Sequence, residues 1–129
     1  MAYTYDDQNI FAKILRGEIP NKTVLETEHS LAFHDINPQA PQHVLVIPKG
    51  AYVTFDHFAA EASDAEMVDY VRTVGKVAEM MGVTPDQAGG YRMLSNAGPD
   101  AHQEVPHLHI HIFAGGFLGR MIKVPEPRA

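Results

Sequence analysis

At 129 residues and 14.2 kDa, the chain is long enough for one hydrophobic core and short for two, so a single domain is expected across residues 1–129. It contains no cysteine, which excludes disulfides, thiolate catalysis and Cys-bearing zinc sites. A net charge of -6 and a pI near 5.7 argue against nucleic-acid polymers and anionic membranes as partners, because both require basic patches.

In chain order, residues 1–7 read as a tail, with neither the basic start nor the apolar stretch of a secretory signal. No segment approaches the run of about 20 apolar residues that spans a membrane, so a cytoplasmic location is expected. Asp7 or Asn9 can cap a short helix carrying Ile10, Phe11, Ile14 and Leu15, which Gly17 and Pro20 end. Strand signals follow at 22–27, 31–36 and 43–47, with a turn over Asn37 to Pro41. Ser63 and Glu66 have capping-box spacing, and Met67, Val71, Val74, Ala78 and Met81 predict one long helix, stopped by Gly82 and Pro85. Residues 91–96 and 105–113 read as further strands separated by a loop at 97–101, and 124–129 as a second tail. The fold class is therefore α+β, a largely antiparallel sheet of about five strands with one long and one short helix.

The eight histidines are unevenly placed. His107, His109 and His111 alternate with Leu108, Ile110 and Ile112, so on a strand the imidazoles share one face at a spacing of roughly 6 to 7 Å. Near neutral pH imidazole is mostly uncharged, and it can act as nucleophile, proton carrier or metal ligand. A metal reading would draw a further ligand from His43, His102 or a carboxylate, but it would occupy the imidazole lone pairs, and no carboxylate alternates within the strand.

The segment His107-Leu108-His109-Ile110-His111-Ile112-Phe113 resembles the motif of the histidine triad (HIT) family. Residues 9–20 are similar to the opening helix of its Hint-type purine nucleoside phosphoramidase branch. Leu31 to Pro38, His43 to Lys49 and Tyr91 to Gly116 continue the likeness in family order, over roughly residues 9–122. The resemblance implies a HIT-like fold, a homodimer with the two sheets joined, and hydrolysis of a bond to the α-phosphate of purine nucleotides, AMP or GMP derivatives. No cofactor and no metal are expected. The family's sister transferases carry Gln at the third triad position, so His111 points to the hydrolase side. The alternative class is a nucleotide-binding sensor or interaction module with little turnover.

Residue by residue, the resemblance implies that His109 is the nucleophile, forming a nucleotidyl-histidine intermediate that water hydrolyses. It implies that Asn96, Gln103 and His111 contact phosphate, that His43 with His107 orients the nucleophile and relays a proton, and that Asp35 binds the ribose hydroxyls. Ile10, Phe11, Phe33 and Ile36, with Ile14 and Ile19, would form an apolar slot for the base. Two departures stand out. Glu104 occupies a position where many relatives have a small hydroxyl residue near the leaving group, and the stretch after Gly116 lacks the Trp-bearing C-terminus of some animal relatives.

Overall fold

Residues Val44 to Ile47 are apolar at every position, a pattern that suits a strand covered on both faces. A computed structural model, describing residues 3–121 and 126–127, places this segment at the centre of the molecule. Its elements are α1 (Ile10–Leu15), β1 (Thr23–Glu26), β2 (Ser30–His34), β3 (Gln42–Pro48), α2 (Phe55–Glu61), α3 (Asp64–Met80), β4 (Tyr91–Leu94) and β5 (Ile110–Ala114). The strands form one antiparallel sheet in the order β1-β2-β3-β5-β4. This is the α+β architecture with a largely antiparallel five-stranded sheet expected from the sequence.

Alternation along β3 divides the interior. Val44 and Val46, with Ile110 and Ile112 of β5, pack against Tyr70, Val74 and Val77 of α3. On the other face Leu45 and Ile47 join Leu31 and Phe33 of β2 and Phe11 and Ile14 of α1. The register extends this second face into a row across the sheet: Phe33 lies opposite Leu45, Leu45 opposite His111, and His111 opposite Leu94.

The helix caps follow the sequence signals. Asn9 accepts hydrogen bonds from the backbone N–H groups of Phe11 and Ala12, which would otherwise be unpaired at the start of α1. Ser63 and Glu66 form the predicted reciprocal box at α3. The buried stripe of α3 is Tyr70, Thr73, Val74, Val77 and Ala78: of the expected members Val74 and Ala78 are buried and Met67 and Met81 half-buried, whereas Val71 is 71% exposed and its neighbour Tyr70 is buried and donates to the Val46 carbonyl. One helical step is about 100°, and the large Tyr70 ring with its backbone partner takes the inward position.

Three features depart from the sequence reading. A second short helix, α2, capped by the Thr54 side chain, precedes α3. The last strand begins at Ile110 rather than at 105, since Pro106 offers no N–H, His107 N–H turns back to the Val105 carbonyl, and Leu108 N–H bonds the Tyr52 carbonyl outside the ladder. Residues 3–7, expected as a tail, are docked: the Tyr3 hydroxyl donates to Asp56 and the Tyr5 hydroxyl reaches His107. Of the expected tail at 124–129, residues 124, 125, 128 and 129 lie outside the described residues. No helix among the described residues is long and apolar enough to cross a membrane.

Candidate active site

The face that carries Leu45 also carries the histidines. His43 belongs to β3 and His111 to β5, while His107 and His109 lie in the extended segment leading into β5. Although the ladder starts late, the alternation persists, with Leu108 and Ile110 in the core against α3. The His109 and His111 rings meet edge to face at 4.9 Å between centroids, and Phe11 of α1 meets His109 at the same distance.

Hydrogen-bond partners fix the protonated nitrogen of each neutral ring. His109 Nδ1 lies 2.7 Å from the His107 carbonyl, which can only accept, so Nδ1 holds the proton and Nε2 keeps its lone pair. His107 Nε2 lies 2.8 Å from the Pro48 carbonyl and must likewise donate, leaving its Nδ1 as an acceptor facing the Tyr5 hydroxyl at 2.5 Å. The Gln39 N–H donates to His43 Nδ1, so His43 carries its proton on Nε2 and donates to His111 Nδ1 at 2.9 Å. By the same logic His111 presents an N–H on Nε2. The network therefore sets one ring as a lone-pair donor and its neighbour as a hydrogen-bond donor. Within it His43 bonds directly to His111, its diagonal neighbour in the β3–β5 register, where His43 lies opposite Phe113 and Leu45 opposite His111.

Burial keeps these rings uncharged. It pushes His107 and His111 down to about 4, with the neighbouring His109 adding to the depression in both and His43 adding to it at His111. His109 and His43 are also lowered, chiefly by burial, with Asp35 opposing the shift in each. At neutral pH the site thus offers an unprotonated imidazole nitrogen instead of a row of mutually repelling cations.

A cavity of about 520 Å³ opens over this face. His109 and His111 line it on one side, and Ile10, Phe11, Ile14, Ile19, Phe33 and Ile36 are all in its walls. Phe11 and Phe33 are buried and stand edge to face at 5.6 Å, whereas Ile36 is 85% exposed at the rim. Asp35 also lines the cavity. One of its carboxylate oxygens accepts from the Asn37 N–H, and the other lies 3.4 Å from His43 Nε2.

The loop residues divide. Asn96 reaches the cavity while its amide donates to the Ala101 carbonyl. Gln103 lies outside the cavity lining: its amide donates to the Val53 and Val105 carbonyls and its oxygen accepts from Gly98 N–H, so it ties the 98–105 loop to the body. Glu104 is at the mouth, paired with His102 at 2.6 Å.

Sequence reasoning did not single out Tyr5 or Phe113. Phe113 stacks on His111 with rings 5.5 Å apart and nearly parallel, and its position two residues beyond His111 was a usable signal. Tyr5, 102 residues from its partner His107, had none.

Asp35, His43 and His111 place one potential ligand atom each within 4.8 Å of one another, the one such donor set among the described residues. Gln39 N–H, however, holds His43 Nδ1 as an acceptor, and the proton this puts on Nε2 occupies the atom a cation would need.

Comparison with known proteins agrees with this geometry. The family model described as HIT domain matches residues 16–117. The chain belongs to the HIT domain family. A 13.2 kDa HIT-like protein of Azospirillum brasilense is 66% identical over 122 residues, covering 95% of this chain and 98% of its own length. A purine nucleoside phosphoramidase of Escherichia coli K12 is 38% identical over 116 residues, covering 90% and 94%. Among solved structures, a histidine triad protein from Clostridium difficile superposes with a TM-score of 0.76 at 38% identity, covering 92% of this chain and all of that one.

Proposed function

We propose that this HIT protein is a purine nucleotide hydrolase of the nucleoside phosphoramidase type, working through a nucleotidyl-histidine intermediate. The observation that carries the reading is the His109–His107 hydrogen bond, which fixes the proton on Nδ1 and leaves Nε2 as a neutral nucleophile at the cavity. Likeness to the Escherichia coli purine nucleoside phosphoramidase supports the reaction class.

In the first step His109 Nε2 forms a bond to the α-phosphorus and the phosphorus–nitrogen bond to the amine breaks. The amine leaves with a proton delivered at the mouth, where His102 and Glu104 stand. In the second step water attacks phosphorus and gives its proton back to the His102–Glu104 pair, the bond to Nε2 breaks to restore the neutral imidazole, and the nucleoside monophosphate departs. The His111 Nε2–H, fixed through His43, is the donor for charge developing on the phosphoryl oxygens, and Asn96 is a second. Asp35 accepts from the ribose hydroxyls, and Phe11, Phe33, Ile10 and Ile36 take the base. Gln103 serves this site by holding its loop. No metal or other cofactor enters either step.

The functional unit in this reading is a cytoplasmic homodimer, a single HIT domain per chain. Edge strand β4 pairs only with β5 among the described residues and exposes Tyr91 and Met93, and α3 exposes Val68 and Val71, which gives a second copy an apolar surface and an open ladder.

The test is turnover of adenosine 5′-phosphoramidate in excess chelator, followed by mass-spectrometric trapping of a nucleotidylated peptide containing residues 107–111. Turnover that persists in His109→Ala removes the proposed nucleophile. Purine-nucleotide binding without turnover in the wild type identifies a sensor instead.

A further inference from the structure

His107 is wholly buried, and its environment makes a specific demand. Its Nε2 must carry the proton because the Pro48 carbonyl can only accept, so its Nδ1 is a buried lone pair that needs a donor. The Tyr5 hydroxyl is that donor, 2.5 Å away, with its half-buried ring edge-on to the imidazole at 5.5 Å. The backbone carbonyl of the same His107 holds His109 Nδ1–H. A single residue thus links the Tyr5 hydroxyl to the group that sets the tautomer of His109.

From this geometry we infer that Tyr5 is a positioning residue for the nucleophile, acting through His107. The inference rests on the assignment of His109 made above. Tyr5 holds the His107 ring in one orientation, and the His107 backbone in turn holds the His109 ring with Nε2 free. Burial raises the Tyr5 phenol above its ordinary value, so it stays a donor through the neutral range. Its side chain also interacts with Asn9, the cap of α1, and α1 brings Phe11 against His109, so the N-terminal segment joins the base slot to the nucleophile. The segment is anchored at a second point, where the Tyr3 ring stacks on His57 at 4.8 Å and its hydroxyl donates to Asp56.

Removing the Tyr5 hydroxyl leaves a buried nitrogen without its donor. Ring rotation or proton uptake then becomes the way to satisfy it, and each disturbs the His107–His109 link. The titratable and charged groups that act on this pair are His109, Arg16, Asp7 and Asp6, and Tyr5→Phe leaves all of them in place.

The experiment is Tyr5→Phe in the full chain, with steady-state kinetics on adenosine 5′-phosphoramidate and ¹⁵N spectra of the histidine rings. The expected result is kcat reduced about tenfold at unchanged KM, the size of one net hydrogen bond. The acid limb of the kcat profile moves to higher pH, and the His107 Nδ1 resonance moves downfield toward that of an acceptor nitrogen without a donor. Tyr3→Phe, which cuts only the outer anchor, leaves kcat, the profile and the ¹⁵N spectrum as in the wild type. Should Tyr5→Phe fold poorly, the wild-type spectrum decides: His107 protonated on Nε2, with Nδ1 in the hydrogen-bonded range, supports the inference. A wild-type His107 protonated on Nδ1 overturns it, as do unchanged kcat and Nδ1 resonance in Tyr5→Phe, or a loss expressed only in KM. Turnover surviving His109→Ala removes the nucleophile assignment, whereas the His107 spectrum tests the Tyr5 bond independently.

Discussion

The two faces of the β3–β5 pair are built from the same strands and do opposite work. Toward α3, Val44, Val46, Ile110 and Ile112 meet Tyr70, Val74 and Val77, and the interactions are apolar apart from the Tyr70–Val46 hydrogen bond. Toward α1, His43, His107, His109 and His111 replace aliphatic side chains, and each buried nitrogen needs a defined partner. On the first face shape decides the energy, and a changed side chain costs stability. On the second, proton placement decides the chemistry, so a change there shows mainly in rate. A single strand can serve both because its side chains alternate.

The largest effect expected from this contrast lies on the histidine face. His109→Ala should lower kcat for adenosine 5′-phosphoramidate by about 10⁴-fold or more, since it removes the proposed covalent route altogether. Its melting temperature should stay near the wild-type value compared with that of a core truncation. On the apolar face the balance reverses. Ile112 is fully buried against α3, and Ile112→Ala should cost about 2–5 kcal/mol by leaving a cavity. Denaturant titration measures that loss, and the kcat of the fraction that remains folded should stay within a few-fold of wild type. An Ile112→Ala protein that kept its stability but lost its rate would break the division between the faces.

The apolar face was the more legible of the two in the sequence. The unbroken run Val44 to Ile47, the alternation through Ile112 and the Ser63–Glu66 box are local signals, and local signals fix strands, faces and caps. The failures were places where tertiary partners decide. Tyr70 displaced Val71 from the interior through a bond to Val46, Pro106 delayed the start of β5, and α2 buries only His57 and Phe58, adjacent positions that show no helical spacing. On the histidine face the residues were visible but their pairings were not. His43 turned to His111 because of cross-strand register, and Gln103 was drawn into backbone bonds by the loop that it closes. The contact between Tyr5 and His107 spans 102 positions and has no local signature.

Acid should separate the faces next. His107 and His111 titrate near 4 in the folded chain and near 6.5 when unfolded, so between these values the unfolded state binds more protons. Their contribution is fully present above the unfolded value and is lost as pH falls from about 6.5 toward about 4, by at most about 3 kcal/mol for His107. Urea midpoints measured across this window should therefore rise with pH. In His107→Gln the slope should flatten while Ile112→Ala keeps it, and equal slopes in wild type and His107→Gln would contradict the buried neutral state. The kcat profile should hold at neutral pH and fall on the acid side, because His109, the proposed nucleophile, is lowered by burial and could attack only when unprotonated.

The smallest effects give the finest comparison, because two helix caps of similar strength serve the two faces. Ser63 caps α3 behind the apolar face, and Asn9 caps α1 in front of the histidines. Replacing either with Ala removes a side-chain acceptor from the first helical turn and should cost about 1 kcal/mol of stability in a denaturant titration. The consequences for binding should differ. Loosening α3 leaves the cavity walls in place, so Ser63→Ala should keep the wild-type KM. Loosening α1 disturbs Phe11, which lines the cavity and rests on His109 at 4.9 Å, so Asn9→Ala should raise KM for the nucleotide several-fold. If both caps cost the same stability and neither moves KM, α1 is merely packing and the base slot lies elsewhere. If only Asn9→Ala moves it, the helix on the histidine face belongs to the binding site, while the helix on the apolar face serves as structural support.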